Sequence, residues 1–183
     1  GTGDAVIIAA GMGVAPWTVL AQGIGIQFNW TIGEATFFIS VVVLFLWIPL
    51  REKPGIGTIL NAILIAAAID VMEPYLPHPQ EQFYQLIQVL FGTILVGIGS
   101  GFYLTANLGP GPRDGWMTGI QRITNIPIGR VRTIIETIAL LIGWKLGGVF
   151  GVGTIIFAIL IGPVVALFLQ LTDRIWGTNE PIS

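Results

Sequence analysis

The run Gly55-Ile56-Gly57-Thr58-Ile59 returns 96 residues later as Gly151-Val152-Gly153-Thr154-Ile155. The same spacing aligns residues 3–66 with residues 99–162 without a gap, and 20 of the 64 aligned positions are identical. Many of these identities set backbone geometry, among them Gly13 with Gly109, Pro16 with Pro112, Gly23 with Gly119 and Gly33 with Gly129. Because an internal repeat dictates architecture, the chain is predicted to contain two copies of one backbone path.

The composition identifies the class of protein. Of 183 residues, 54% are hydrophobic and only 10% are charged, against roughly 25% charged in ordinary soluble chains. The apolar residues lie in long blocks, which indicates an integral membrane protein whose main partner is the lipid bilayer. No basic tract is present that could bind nucleic acid. The absence of Cys and the single His78 leave little room for thiol or metal chemistry.

We predict an all-α fold with six transmembrane helices, long enough when complete to cross roughly 30 Å of hydrocarbon. The predicted spans are residues 1–12, 31–48, 55–75, 83–105, 128–146 and 151–171. The first is shorter than its counterpart in the repeat, which starts near Phe83. We therefore expect the N-terminus to lack part of its first span.

A helix break and a short segment separate the first span of each copy from the second. The breaks are Gly13-Val14-Ala15-Pro16-Trp17 and Gly109-Pro110-Gly111-Pro112-Arg113, in which proline lacks an N–H and fixes φ. Short helices are expected after them, over residues 17–25 and 113–123. Because they are too short to cross a bilayer, they either lie at the interface or enter the membrane and return.

The positions of the basic residues discriminate between a topology in which the two short segments cross the membrane and one in which they do not. If the short segments do not cross, Lys145 lies on one side and all other basic residues lie on the opposite side: Arg51, Lys53, Arg113, Arg122, Arg130, Arg132 and Arg174. If the short segments do cross, the basic residues are divided between the two sides of the membrane. The positive-inside rule therefore favours six spans with both termini cytoplasmic. Each half, residues 1–80 and 81–183, then contains three spans, and an odd number makes the second copy inverted in the membrane, as in many secondary transporters.

The densest polar cluster is the run from Asn107 to Gly115, where a span ends and a short helix begins. An exposed helix N-terminus suits an anion or carboxylate, and Arg113 would strengthen such a site. Asn107, Arg113 and Asp114 are therefore candidate substrate-binding residues. The structural alternative is that Asp114 caps the short helix and Arg113 meets lipid phosphate.

A second cluster, Arg130, Arg132 and Glu136, lies in the fifth span. Intramembrane ionisable residues are candidates for function, so Arg132 and Glu136 are predicted to contact substrate. Because they are four residues apart, a plain ion pair on one helix face is an equal alternative. The residue equivalent to Glu136 in the first half is Ser40, so any such site is asymmetric.

No set of catalytic residues emerges, and we predict neither an enzyme nor a cofactor or metal site. The two Gly-x-Gly-Thr elements lack the Lys and the preceding strand of a phosphate-binding loop. Their expected role is to let helices approach closely, with Thr58 and Thr154 bonding local backbone.

The run Ala106-Asn107-Leu108-Gly109-Pro110-Gly111-Pro112-Arg113-Asp114-Gly115-Trp116 resembles the bacterial YczE-like membrane proteins, relatives of the broader YitT-type group. The similarity continues through Pro127-Ile128-Gly129-Arg130-Val131-Arg132 and includes Gly13-Val14-Ala15-Pro16-Trp17 in the first half. It implies a multi-pass protein of the bacterial plasma membrane in a family with no settled activity.

Two functions are compatible with these patterns. The first is a small transporter or permease for a small solute, with an anionic one among the candidates, in which Asn107, Arg113, Asp114, Arg132 and Glu136 line a cytoplasm-side cavity. The second is an accessory or scaffold subunit, which predicts a tightly packed interior without a polar cavity. Other membrane subunits or copies of the same chain are the candidate protein partners.

Overall fold

The computed structural model describes residues 1–176, and side chains up to residue 172. This part of the chain is all-helical, as predicted. Its α-helices are α1 (Thr2–Ala10), α2 (Pro16–Phe28), α3 (Ile32–Phe45), α4 (Ile56–Met72), α5 (Gln82–Thr105), α6 (Pro112–Thr124), α7 (Ile128–Lys145) and α8 (Val152–Trp176), with a 3-10 turn at Glu73–Tyr75. The side chain of Arg174, one of the basic residues counted above, lies outside the described part.

Helices in the two halves begin at matched positions. The starts of α2 and α6, of α3 and α7, and of α4 and α8 are each 96 residues apart. Pro16 and Pro112 occupy the first helical position, where a missing N–H costs nothing. Residues with positive φ within 1–176 also pair at this spacing: Gly11 with Asn107, Gly13 with Gly109, Asn29 with Asn125, and Arg51 with Gly147. The sequence repeat is therefore also a repeat of backbone conformation.

A reciprocal pair of backbone hydrogen bonds joins the two halves. The Gly57 N–H donates to the Leu108 carbonyl at 2.9 Å, and the equivalent Gly153 N–H donates to the Met12 carbonyl at 2.8 Å. A Cβ at Gly57 would lie 2.9 Å from the Leu108 carbonyl oxygen, and one at Gly153 would lie 2.5 Å from that of Gly13. Only glycine allows this approach, so the expected role of the Gly-x-Gly-Thr elements is confirmed.

The interior is built around α1, in which every residue from Ala5 to Ala10 is buried. One buried apolar cluster centres on Ile7, Val19 and Ile69, and a second includes Ala35 and Ile135. Outward faces of the longer helices expose large apolar side chains, among them Phe45, Ile63, Phe91 and Ile159. Extensive exposed apolar surface of this kind marks a membrane-contacting protein.

Within the described residues, three helical segments are long and apolar enough to cross a membrane: 56–75, 82–105 and 152–172. A fourth span results if α2 and α3, which meet at 109°, count as one broken span. The predicted six-span arrangement is therefore not confirmed. The predicted second span ends early, because α3 stops at Phe45 after 14 residues. The predicted fifth span, α7, carries Arg130, Arg132, Glu136 and Lys145.

The first short segment is an interior helix. α2 buries Trp17, Val19 and Ala21 and packs against α3 and α7. Its approach to α7 depends on two glycines, since a Cβ at Gly23 would lie 2.6 Å from the Gly143 carbonyl oxygen. Much of α2 is therefore covered by neighbouring helices.

Candidate functional site

A cavity of about 500 Å³ lies inside the helical assembly. Its volume is within the usual range of small-molecule sites. Most of its lining is apolar, but five side chains that carry charge also reach it: Asp4, Arg113, Asp114, Arg132 and Glu136. Four of the five predicted site residues are therefore brought to one place.

The cavity lies where the two halves of the repeat meet. Residues at equivalent positions in both halves contribute to its wall as eight pairs: Asp4 with Ser100, Ala15 with Gly111, Pro16 with Pro112, Trp17 with Arg113, Thr36 with Arg132, Ser40 with Glu136, Asn61 with Phe157, and Ile65 with Ile161. The pairs share a place but differ in chemistry. In each pair that has a charged member, the equivalent residue is uncharged: Ser100 for Asp4, Trp17 for Arg113, Thr36 for Arg132 and Ser40 for Glu136.

Arg113 lies at the centre of this arrangement. As the second residue of α6 it follows Pro112, and its guanidinium carbon lies 5.0 Å from the ring centroid of Trp17, its own equivalent in the first half. The cation–π contact places the charge over the Trp17 ring. The Trp116 ring packs edge-on against the Trp17 ring, with 6.5 Å between the two ring centroids. Among the described residues, Arg113 has neither an ion-pair partner nor a hydrogen-bond acceptor.

Asp114 is held beside Tyr103, and it is not the N-cap. The N-cap of α6 is Gly111, so the expectation that Asp114 caps the helix is wrong; Pro112 occupies the first helical position, which makes Asp114 the third residue of the helix. The Tyr103 hydroxyl accepts a hydrogen bond from the Gly111 N–H and donates to Asp114 Oδ2 at 3.5 Å. Burial raises the pKa of the Asp114 carboxyl, while the Arg132 and Arg113 guanidiniums act to lower it.

The predicted ion pair between Arg132 and Glu136 is present on α7. Arg132 Nε donates to Glu136 Oε1 at 2.8 Å, and both side chains line the cavity. The Glu136 side chain is 24% exposed. Arg132 and Glu136 therefore form an ion pair and also line the cavity. Of the two arginines in the cavity wall, Arg113 is the one without an ion-pair partner among the described residues.

Asn107 is not brought to the cavity. It follows the end of α5 with a φ of 49° and an exposed side chain, and it is absent from the cavity wall. Asparagine tolerates this left-handed conformation better than most residues. Its backbone role in the break is therefore visible, while a role in substrate binding stays a prediction.

Six polar residues of the wall were not predicted as site residues: Asp4, Thr36, Ser40, Asn61, Ser100 and Tyr103. Asp4 lies in an otherwise apolar helix, and Tyr103 supports Asp114. Thr36 is 2% exposed, and its hydroxyl is the buried side-chain oxygen without a hydrogen-bond partner in the described part of the chain. The repeat itself could have singled out Asp4 and Thr36, because their equivalents are the polar residues Ser100 and Arg132.

Comparison with known proteins places the chain in a family. Residues 1–170 match the model of a family of unknown function (DUF6198). An "Uncharacterized protein" of Haemophilus influenzae is 45% identical over 175 residues, which cover 96% of this chain and 80% of that protein.

The "Uncharacterized membrane protein YczE" of Bacillus subtilis is 33% identical over 159 residues, or 86% of this chain and 74% of that protein. "Uncharacterized protein YyaS" of the same bacterium is 25% identical over 179 residues, or 94% of this chain and 88% of that protein. No solved structure matches. The chain therefore belongs to the DUF6198 family of unknown function and is a YczE-like integral membrane protein.

Proposed function

We propose that the protein is a small-solute permease of the bacterial plasma membrane, built from two inverted three-span halves, residues 1–80 and 81–183. In this arrangement both termini are cytoplasmic, and α2 and α6 are re-entrant helices on opposite faces. The matched helix starts and the reciprocal hydrogen bonds of Gly57 and Gly153 support it. A pair of such bonds is what a local two-fold axis between the halves generates.

The observation that carries the proposal is the charged cavity at the junction of the halves. Transporters with inverted repeats place substrate at this junction, beside breaks in their helices. Here the wall includes the residues following both breaks, Trp17 and Arg113, in direct contact. Charged groups are expensive at membrane depth, and their gathering around one cavity favours a solute pathway.

The basic residues support the orientation. The side chains of Arg51, Lys53 and Arg122 belong to the face proposed as cytoplasmic, and Lys145 belongs to the opposite one. Arg122 donates to the Leu50 carbonyl at 2.7 Å and pairs with Glu52 at 3.0 Å. This contact brings α6 beside the turn after α3, which supports a common face for the two, as the six-span arrangement requires.

The alternative function, an accessory or scaffold subunit, predicts a packed interior without a polar cavity. The cavity and its five charge-bearing side chains favour the permease over it. We assign the exposed apolar surface to contact with lipid. Contact with other subunits or with a second copy of the chain would use the same surface.

The test is uptake into proteoliposomes from a ¹³C-labelled extract of bacterial metabolites, followed by mass spectrometry of the vesicle contents. We expect at least one labelled solute to enter above the level of empty vesicles. Arg113→Ala and Glu136→Gln should reduce that uptake, and Arg122→Ala, on α6 but outside the cavity, should not. No uptake above empty vesicles, or equal uptake by all variants, contradicts the proposal.

A further inference from the structure

The two halves differ in the packing of their last two helices. In the first half α3 packs against α4, and a Cβ added at Gly33 would overlap the Ala66 carbonyl oxygen. The second half has glycine at both equivalent positions, Gly129 and Gly162, yet a Cβ added at either would meet no atom within 4 Å. Within the described residues, α7 and α8 therefore stand apart at the positions where α3 and α4 touch.

One face of α8 consists of small residues whose equivalents on α4 are covered. Ala158, Gly162 and Ala166 follow one another at a spacing of four, which places them on one helix face, and all three are exposed. Their equivalents Ala62 and Ala66 are buried. Small residues at this spacing allow membrane helices to approach closely. Because α3 covers this face of α4 at Ala66, the repeat identifies its equivalent α7 as the helix that fits the same face of α8.

α8 also contains a point at which it can bend. Pro163 follows Gly162 inside the helix, and proline lacks the N–H that would donate to the Ile159 carbonyl. Sharp changes in the direction of a helix usually occur at proline. α4, which is already in contact with α3, has Ala66 and Ala67 at the equivalent positions. The bending point therefore belongs to the half whose helices stand apart.

The cavity is in reach of both helix pairs. Its wall includes Arg132 of α7 and Ile161 of α8, and their equivalents Thr36 of α3 and Ile65 of α4. A change in the distance between the helices of either pair therefore changes access to the cavity.

Resting on the permease function proposed above, we propose that the structure is the cytoplasm-open state, and that in a second state α7 closes onto α8 while α3 separates from α4. In the proposed topology, Gly129 and Ala166 lie towards the cytoplasmic face, and Gly33 and Asp70 lie towards the opposite face. Alternating access in transporters with inverted repeats is largely a rocking of one repeat against the other around a fixed site. Exchanging the packing of the two halves moves the opening of the cavity from one face to the other.

A carboxylate favours the observed state. Asp70 accepts hydrogen bonds from the Gly33 N–H at 2.7 Å and from the Thr31 hydroxyl at 2.6 Å, and these bonds hold α3 to α4. The residues equivalent to Asp70 and Thr31 are Ala166 and Pro127, which have no side-chain group for such bonds. The closed pair of the first half is therefore held more firmly than a closed pair of α7 and α8.

The experiment is disulfide formation between α7 and α8 in proteoliposomes. The chain has no cysteine, so Gly129→Cys combined with Gly162→Cys supplies the two thiols that report. A disulfide requires the two Cβ atoms to approach to about 3.5–4.5 Å. After oxidation with copper phenanthroline, we expect the linked peptide in the monomer band of a non-reducing gel. The control combines Gly162→Cys with Ile134→Cys, at a residue of α7 that is exposed and outside the cavity wall, and it should not link.

A third substitution tests the coupling between the halves. Asp70→Ala removes bonds that exist only in the observed state, so linking of the Gly129 and Gly162 pair should become at least about tenfold faster. Asp70→Asn, which keeps one acceptor, should have a smaller effect. Thr93→Val removes a buried hydrogen bond within α5, and it should leave the rate of linking unchanged.

Absence of the linked peptide, or equal linking in the Ile134 control, would overturn the proposed closure. A linked peptide confined to a dimer band would overturn it too, because a second copy would then cover the small face of α8. An unchanged rate in Asp70→Ala would overturn the coupling between the halves. Uptake of solute without linking would leave the permease intact and refute the closure, whereas linking without uptake would support the closure and refute the permease.

Discussion

Substitution of Gly33 by alanine should destabilise the protein, whereas the same change at its repeat equivalent Gly129 should not. Both glycines are the second residue of a helix, α3 and α7 respectively. A Cβ at Gly33 would overlap the Ala66 carbonyl oxygen and the Asp70 carboxyl group, while a Cβ at Gly129 would meet no atom within 4 Å. The two positions share their place in the helix and differ in the atoms that face them.

The expected magnitude follows from the contacts of Asp70. Its Oδ1 accepts from the Gly33 N–H at 2.7 Å, and its Oδ2 accepts from the Thr31 hydroxyl at 2.6 Å. Overpacking costs roughly 1–3 kcal/mol, and a hydrogen bond to a charged group is worth about 1.5–3 kcal/mol. Against these stands the gain of up to about 1 kcal/mol when Ala replaces a helical Gly. Gly33→Ala should therefore lower the free energy of unfolding by roughly 2–4 kcal/mol, and Gly129→Ala should raise it slightly.

The assay is equilibrium unfolding of both variants and the wild type in one detergent, followed by circular dichroism. A difference between the variants of less than about 0.5 kcal/mol, the scatter of neutral substitutions, would refute the assigned close approach of α3 to α4. A large loss at Gly129 would refute it equally.

Two further substitutions test the core and the cavity. Trp47 is 2% exposed and its Nε1–H donates to the Pro112 carbonyl at 2.9 Å, so Trp47→Phe should lower the free energy of unfolding by about 1–3 kcal/mol. The control Trp144→Phe, at a residue that is 58% exposed, should change it by less than about 0.5 kcal/mol. Equal losses for the two variants would show that the hydrogen bond of the indole N–H does not stabilise the fold. Glu136→Gln should change the free energy of unfolding by less than about 1 kcal/mol, because the ion pair of Glu136 with Arg132 is partly exposed. The same variant should lose most of the uptake into proteoliposomes. A large loss of stability with full uptake would mean that the pair is purely structural.

The backbone path was predictable because the residues that break its helices act locally. Proline fixes φ and lacks an N–H wherever it occurs, and glycine readily adopts a positive φ, as Gly13 and Gly109 do here, so matched breaks at matched positions could be read directly from the sequence. The pair Arg132 and Glu136 was predictable for a similar reason, since a spacing of four places both on one helix face. A second local signal was present but not used: Thr31 and Glu34 form a capping box that begins α3.

Contacts between distant parts of the chain were less predictable. Asp70 accepts a hydrogen bond from Gly33 at the start of α3, 37 residues earlier in the chain, and no local pattern indicates this contact. A tryptophan near the end of an apolar segment is typical of the membrane interface, yet Trp47 is buried against Gly115 of the other half. Thr36 is an ordinary threonine in an apolar helix, and only its surroundings in three dimensions leave its hydroxyl without a partner. Helix ends such as Phe45 depend on packing as well as on propensity.

The most direct test of the account is whether the cavity between the halves can be reached from both sides of the membrane. The chain has no cysteine, so Ser100→Cys in the cavity wall reports alone when a membrane-impermeant thiol reagent is added outside or inside sealed vesicles. The control variants are Lys53→Cys and Gln80→Cys, which should react only from the cytoplasmic side and only from the opposite side, respectively. We expect Ser100→Cys to react from either side; reaction from one side alone, or from neither, would overturn the proposed permease.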